Sequence, residues 1–175
     1  MSDPRYPIGK FQYPDSAVSP EQCAAYIEEI AAAPSQYRAA VAGLDDAQLD
    51  TPYRDGGWTL RQTVHHVADS HINSYVRFRL AATEENPRIT TYKEELWAEL
   101  ADAKSLPVEV SLVLIESLHH RWVVFLRSLS TAQLARTFDH PEKGALPLST
   151  VLALYAWHGK HHVAHITTLR AQKGW

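Results

Sequence analysis

Four of the chain's ten histidines fall within His158-Gly159-Lys160-His161-His162-Val163-Ala164-His165. His158 and His162 stand one helical turn apart, so on a helix their rings leave the same face and can grip one cation. Imidazole suits zinc, nickel, copper and iron alike, so the spacing points to a divalent ion without naming it. Projected at about 100° per residue, Leu152, Tyr155, Val163 and Ile166 form one apolar stripe, with Val151 and Leu169 at its edge. His162 falls inside that stripe and His158 at its margin, whereas His161 points well away and His165 lies toward the edge. Buried imidazoles need partners for their ring nitrogens, and core hydrogen bonds or a shared cation would both meet that need. The pair by itself leaves both readings open.

A second group, His65, His66 and His71, lies in another helical stretch. Its apolar stripe of Leu60, Val64, Val67 and Phe78 contains His71. His66 instead shares a polar stripe with Gln62, Ser70, Asn73 and Arg77, which is either a solvated face or the wall of a polar pocket; periodicity favours the solvated face. On the pocket reading, Asn73 and Arg77 would meet an anionic substrate, and Asp69, one turn from His66, would support its ring. A surface salt bridge for Arg77 and a plain surface carboxylate for Asp69 are the competing readings. Glu116-Ser117-Leu118-His119 matches one half of a di-iron carboxylate site, but such a site needs two units, so di-iron is disfavoured. Cys23 reads as a small buried hydrophobe and the five tryptophans as packing.

These residues must be positioned by helices. Ser19-Pro20-Glu21-Gln22 is a capping box that opens a helix running to Ala33, where Pro34 should kink or restart it before Gly43. Thr59-Leu60-Arg61-Gln62 repeats the signature and starts a helix to about Thr83. A shorter helical pattern covers Tyr92 to Leu100, a third long helix runs from near Pro107 to Ser128, and Ser149 should cap a last helix ending at Gly174. No strand signal stands out. The expectation is an all-α four-helix bundle, residues 1–175 forming one domain, with residues 1–18, which contain Pro4, Pro7 and Pro14, as an extended arm.

Composition narrows the function. The 17 basic and 20 acidic residues are spread along the chain, leaving a formal charge of −3 and no basic stripe, so nucleic acid is not expected as a partner. No apolar run approaches the roughly 20 residues needed to span a bilayer. One cysteine excludes an intramolecular disulfide, and Met1 to Lys10 lack a secretory pattern, so a cytoplasmic location is expected.

The stretch Gly57-Trp58-Thr59-Leu60-Arg61-Gln62-Thr63-Val64-His65-His66-Val67-Ala68-Asp69-Ser70-His71, continuing through Asn73-Ser74-Tyr75-Val76-Arg77-Phe78, resembles the YfiT-like branch of the DinB superfamily. So do Tyr155-Ala156-Trp157-His158 to Ile166, the opening Tyr6-Pro7-Ile8-Gly9, and Asp50-Thr51-Pro52-Tyr53-Arg54-Asp55. The resemblance implies a four-helix bundle with a three-histidine metal centre; one divalent ion per chain is expected, with zinc the default for its identity and nickel the second choice. Its ligands would be His66, eight residues after Trp58, together with His158 and His162. Only the last two are also favoured by the apolar stripe. Three neutral ligands would leave the ion its full charge and an open position, where a water or a thiol could lose its proton. The resemblance further implies a homodimer and chemistry on a small molecule: transfer of a low-molecular-weight thiol such as bacillithiol to electrophiles, or hydrolysis. The interval from His158 to His162 carries no glutamate of the His-Glu-x-x-His kind, which argues against a peptidase. A non-enzymatic, metal-stapled stress protein is the reading from another class.

Overall fold

Four helices in this chain begin with Ser, Thr or Asp followed three residues later by Gln. Each forms the reciprocal cap in which the first side chain accepts from the glutamine N–H and the glutamine side chain accepts from the capping residue's N–H. Three of them open α1 (Pro20–Val41), α2 (Asp46–Leu49) and α3 (Leu60–Thr83). The chain continues through the single-turn α4 (Glu94–Trp97), then α5 (Ala101–Ser105) and α6 (Val108–Arg127). The capped α7 (Thr131–Leu134), a hairpin of β1 (Thr137–His140) and β2 (Gly144–Pro147), and α8 (Leu148–Lys173) complete it. The computed structural model describes residues 3–175; Met1 and Ser2 of the expected arm lie outside it.

The long helices α1, α3, α6 and α8 form a four-helix bundle. α1 packs on α6 and α8, and so does α3, which puts α1 diagonal to α3 and α6 diagonal to α8. Two apolar clusters fill the interior. One gathers Ile27, Ile30, Phe78, Trp122, Leu152 and Tyr155; the other gathers Tyr37, Leu60, Val64, Val67, Ile115 and Ile166. On each of three helices, histidines fall between the residues of the two clusters: His71 on α3, His119 on α6, and His158 with His162 on α8. The core is therefore interrupted by a layer of imidazoles.

Several sequence expectations change. Pro34 does not break the first helix; α1 runs through it. Proline there removes the N–H that would bond the Ile30 carbonyl, and His119 Nδ1 donates to that carbonyl at 2.7 Å instead, which offsets the lost bond. A hairpin exists where no strand was expected: its two strands have four residues each, too few to show alternation, and Gly144, which opens β2 after the turn, takes φ 68°. α8 begins one residue before Ser149, without a side-chain cap, because the Leu148 N–H is taken by the Arg136 carbonyl at 2.9 Å. The pattern from Tyr92 to Leu100 yields only the single turn of α4, held from below by Gln62 Nε2, which donates to the Ala98 carbonyl at 2.7 Å. Among the described residues, no helix is long and apolar enough to cross a membrane.

Candidate metal centre

His66 leaves α3 toward α8, and its ring centroid lies 4.9 Å from that of His162 and 5.6 Å from that of His158. The two α8 rings are 4.5 Å apart, and one nitrogen from each of the three residues falls within 4.8 Å of the others. Burial, with His165 as a lesser influence, lowers His66 to a pKa of about 4. The same burial, followed by the neighbouring imidazoles, holds His158 and His162 well below the usual histidine range. All three rings are thus neutral at pH 7 and carry lone pairs, the donor set a divalent ion needs at bond lengths of about 2 Å.

His161, His162 and His165 also lie within that range of one another. His165, however, is engaged elsewhere: its Nε2 donates to the Arg5 carbonyl at 3.3 Å and its ring stacks on Tyr53 at 4.1 Å. His161 stacks on Trp157 at 4.3 Å. Neither His66 nor His161 makes a hydrogen bond among the described residues, but His158 keeps one ring nitrogen free where both of His165 are taken, so the first group leaves more ring nitrogens free.

Periodicity misplaced three of these residues. The polar stripe of α3 is not solvated: Gln62, His66 and Ser70 are buried, and Trp58 lies over His66 at 4.6 Å. His161, expected to point well away from the core stripe, and His165, expected toward its edge, are both buried under Tyr53, Trp157 and the arm residues Arg5 and Tyr6. Apart from Trp157, which is on α8 itself, the covering residues come from the arm and the Tyr53 loop, which have no helical period, so nothing in the pattern of α8 announces them.

A cavity of about 740 Å³ opens on the three histidines, bounded by Arg5, Arg54, Trp58, Trp157 and the carboxylates Glu94, Glu95 and Glu99. Arg54 is the cation nearest a binding role: it lines the cavity, pairs with no carboxylate among the described residues, and its Nη1 donates to the Asp55 carbonyl at 2.9 Å. Gly57 makes room for it: a Cβ there would sit 2.7 Å from Arg54 Cγ and 3.2 Å from its carbonyl oxygen. None of these charged residues was singled out by sequence; Arg5, Arg54 and Glu99 lie in loops and Glu94 and Glu95 on the single turn of α4, and only the Tyr53-Arg54 motif offered a signal. Asn73 and Arg77 do not line the cavity. Asn73 donates to the Asp69 carbonyl at 2.8 Å and Arg77 to the Thr90 carbonyl at 2.9 Å. Asp69 makes no bond to His66 among the described residues; burial, then repulsion from Asp102, pushes its carboxyl up to about 6. A more apolar cavity of about 380 Å³ between α1, α6 and α7 includes Cys23, whose thiol pKa burial raises, and no histidine.

His65 braces α3 on α6, with Nε2 donating to the Leu106 carbonyl at 3.1 Å and Nδ1 accepting from the Ser111 hydroxyl at 2.7 Å. Glu116 pairs with Arg38 on the surface while His119 faces inward, so the two do not form a carboxylate–histidine unit. Burial lowers His119 to about 4. As pH falls through 6.5 the unfolded chain takes up a proton that the folded ring refuses, so stability is lost progressively down to about pH 4. Between pH 7 and pH 5 that loss is on the order of 2 kcal/mol. Urea melts at the two pH values should show the wild type losing about that much more than His119→Gln; equal losses would refute the assignment.

Residues 29–166 match the family model for the DinB superfamily. A protein of Bacillus cereus (strain 03BB102), named "Putative metal-dependent hydrolase", is 57% identical over 175 residues, covering all of both chains. The structure of YfiT from Bacillus subtilis, described as a probable metal-dependent hydrolase with an unusual four-helix bundle topology, superposes with a TM-score of 0.95. It is 48% identical and covers 98% of each chain. The mycothiol-dependent maleylpyruvate isomerase shares the fold at a TM-score of 0.66 and 20% identity, over 82% of this chain and 60% of that one.

Proposed function

This chain belongs to the DinB superfamily, and on that premise we propose that it is a metal-dependent enzyme acting on a small molecule, with a divalent ion held by His66, His158 and His162. The reaction is transfer of a low-molecular-weight thiol, of the bacillithiol kind, to an electrophile. One observation carries this reading: a single cavity joins three neutral imidazoles to an arginine that pairs with no carboxylate among the described residues. When bound, zinc or nickel supplies an uncompensated double charge that lowers the pKa of a thiol or water beside it. The chain's own residues do the rest. Arg54 seats a carboxylate of the thiol, while Trp58 and Trp157 wall the cavity and exclude water. The sulfur–carbon bond forms as the bond from carbon to the leaving group breaks; the thiol proton goes to solvent and the displaced group departs as its anion.

A second reading, hydrolysis, is favoured by Glu94. It lines the cavity, and burial, then the charge of Glu95, raises its pKa as general acid–base work requires. The names of the relatives point the same way. Zinc-loaded protein should be assayed for conjugation of cysteine to chlorodinitrobenzene and for cleavage of p-nitrophenyl acetate. Conjugation above the uncatalysed rate supports thiol transfer; ester cleavage without conjugation moves the assignment to hydrolysis.

Arg54→Ala gives a finer test. Losing one charge-assisted bond made equally in ground and transition states should raise KM for a carboxylated thiol by about 10-fold or more with kcat little changed. The KM for 2-mercaptoethanol should not move. An equal effect on both thiols would show that Arg54 acts on the fold and not on the substrate.

A further inference from the structure

The buried histidines that hold no ion in this reading form a chain with only one allowed direction. Because Pro34 lacks an N–H, the Ile30 carbonyl is free of its helical donor, and His119 Nδ1 takes it at 2.7 Å. A carbonyl only accepts, so Nδ1 carries the hydrogen, and in a neutral ring Nε2 is left as an acceptor. His71 Nδ1, 2.7 Å away, must donate to it, which makes His71 Nε2 an acceptor in turn. The partner of that nitrogen is His158 Nδ1 at 3.1 Å, which must donate. No carboxylate touches any of these rings among the described residues, so nothing there holds a second proton on them. His158 is thereby fixed as the Nδ1–H tautomer, with its lone pair on Nε2.

The same logic runs from the arm at longer range. His165 Nε2 donates to the Arg5 carbonyl at 3.3 Å, leaving Nδ1 to accept from His162 Nδ1, also at 3.3 Å. His162 is left with its lone pair on Nε2 as well.

We propose that His71, backed by His119, and His165 are positioning residues that hold the two ligands on α8 with Nε2 free for the ion. The first relay passes from α1 through α6 and α3 to α8, so all four helices of the bundle meet in the orientation of one ligand. The second ties the N-terminal arm to the centre. This inference rests on the reading of His158 and His162 as ligands and deepens it. An outer acceptor of this kind fixes ring orientation and raises ligand basicity, and its loss typically costs 10–100-fold in metal affinity.

Zinc is the probe for the test. Long-range ¹H–¹⁵N spectra of zinc-loaded wild-type protein should show His158 and His162 bound through Nε2 and protonated at Nδ1. Binding through Nδ1 at His158 would overturn the first relay, and at His162 the second. Chelator competition should then show zinc held about 10–100-fold more weakly by His71→Leu and by His165→Leu. His71→Gln, whose amide can accept from His158 and donate to His119, should recover most of that affinity. Wild-type affinity in a folded His71→Leu protein, or an equal loss in His71→Gln, would reduce His71 to packing and overturn its role; wild-type affinity in His165→Leu would do so for His165. If a leucine variant fails to fold, the wild-type spectrum decides. His158→Ala separates the two levels: full zinc affinity there would remove the ligand assignment itself, whereas loss there beside full affinity in His71→Leu would remove only the relay.

Discussion

Replacing His158 and His162 together by alanine is expected to abolish stoichiometric zinc binding and to lower turnover by about 10³-fold or more. The double variant leaves His66 alone of the triad; His161 and His165 still line the cavity, but His165 is held by the Arg5 carbonyl and Tyr53, and no carboxylate among the described residues joins the group to replace the lost donors. Metal catalysis is worth several kcal/mol of transition-state stabilisation, and about 1.4 kcal/mol corresponds to each tenfold in rate. Metal analysis after gel filtration, beside the conjugation assay, checks both halves of the expectation. A full complement of zinc in the variant would remove the assignment. Chelation of the wild type then separates enzyme from staple: an enzyme loses turnover while its fold largely persists, whereas a stapled bundle loses stability and had no turnover to lose. The packing favours persistence, since apolar clusters lie on both sides of the histidine layer and do not depend on it.

The second large effect concerns stability. Trp122→Ala is expected to cost about 3–5 kcal/mol and to lower the melting temperature by roughly 10 °C or more. Trp122 is fully buried on α6 and packs edge-on against Phe78 and Tyr155, each at 5.6 Å, and against His71 at 5.8 Å and His119 at 5.6 Å. Removing the indole opens a cavity directly beside the imidazole layer, where side chains from three helices converge and cannot collapse independently. Zinc affinity should fall alongside stability, because His71 loses the wall that fixes its ring. Thermal melts of wild type and variant settle the first point and chelator competition the second; a loss under about 1 kcal/mol would mean that the site repacks freely.

The long helices were legible because their determinants are local. Ser19 with Gln22 and Thr59 with Gln62 bond within one turn, and the apolar stripe of α8 marks the face that carries His162 whatever lies opposite. For the same reason His158 and His162 could be paired from spacing alone, while His66 needed the family resemblance. The continuity of α1 through Pro34 and the burial of His161 and His165 depend on partners far away in sequence, His119 and the arm residues Arg5 and Tyr6; the burial of His66 depends on Trp58 in the loop before α3, and the hairpin docks through Arg136, whose Nε donates to the distant Ala81 carbonyl. Periodicity reports which face of a helix is apolar, and a polar face turned toward a covered cavity looks the same as one turned toward water. The residue types and helical spacing of this chain determined that a pair of imidazoles would share one helix face. Which third ring joins them, which nitrogens stay free, and which charges line the cavity above were decided by tertiary packing, because each depends on hydrogen-bond acceptors and covering segments brought from other parts of the chain.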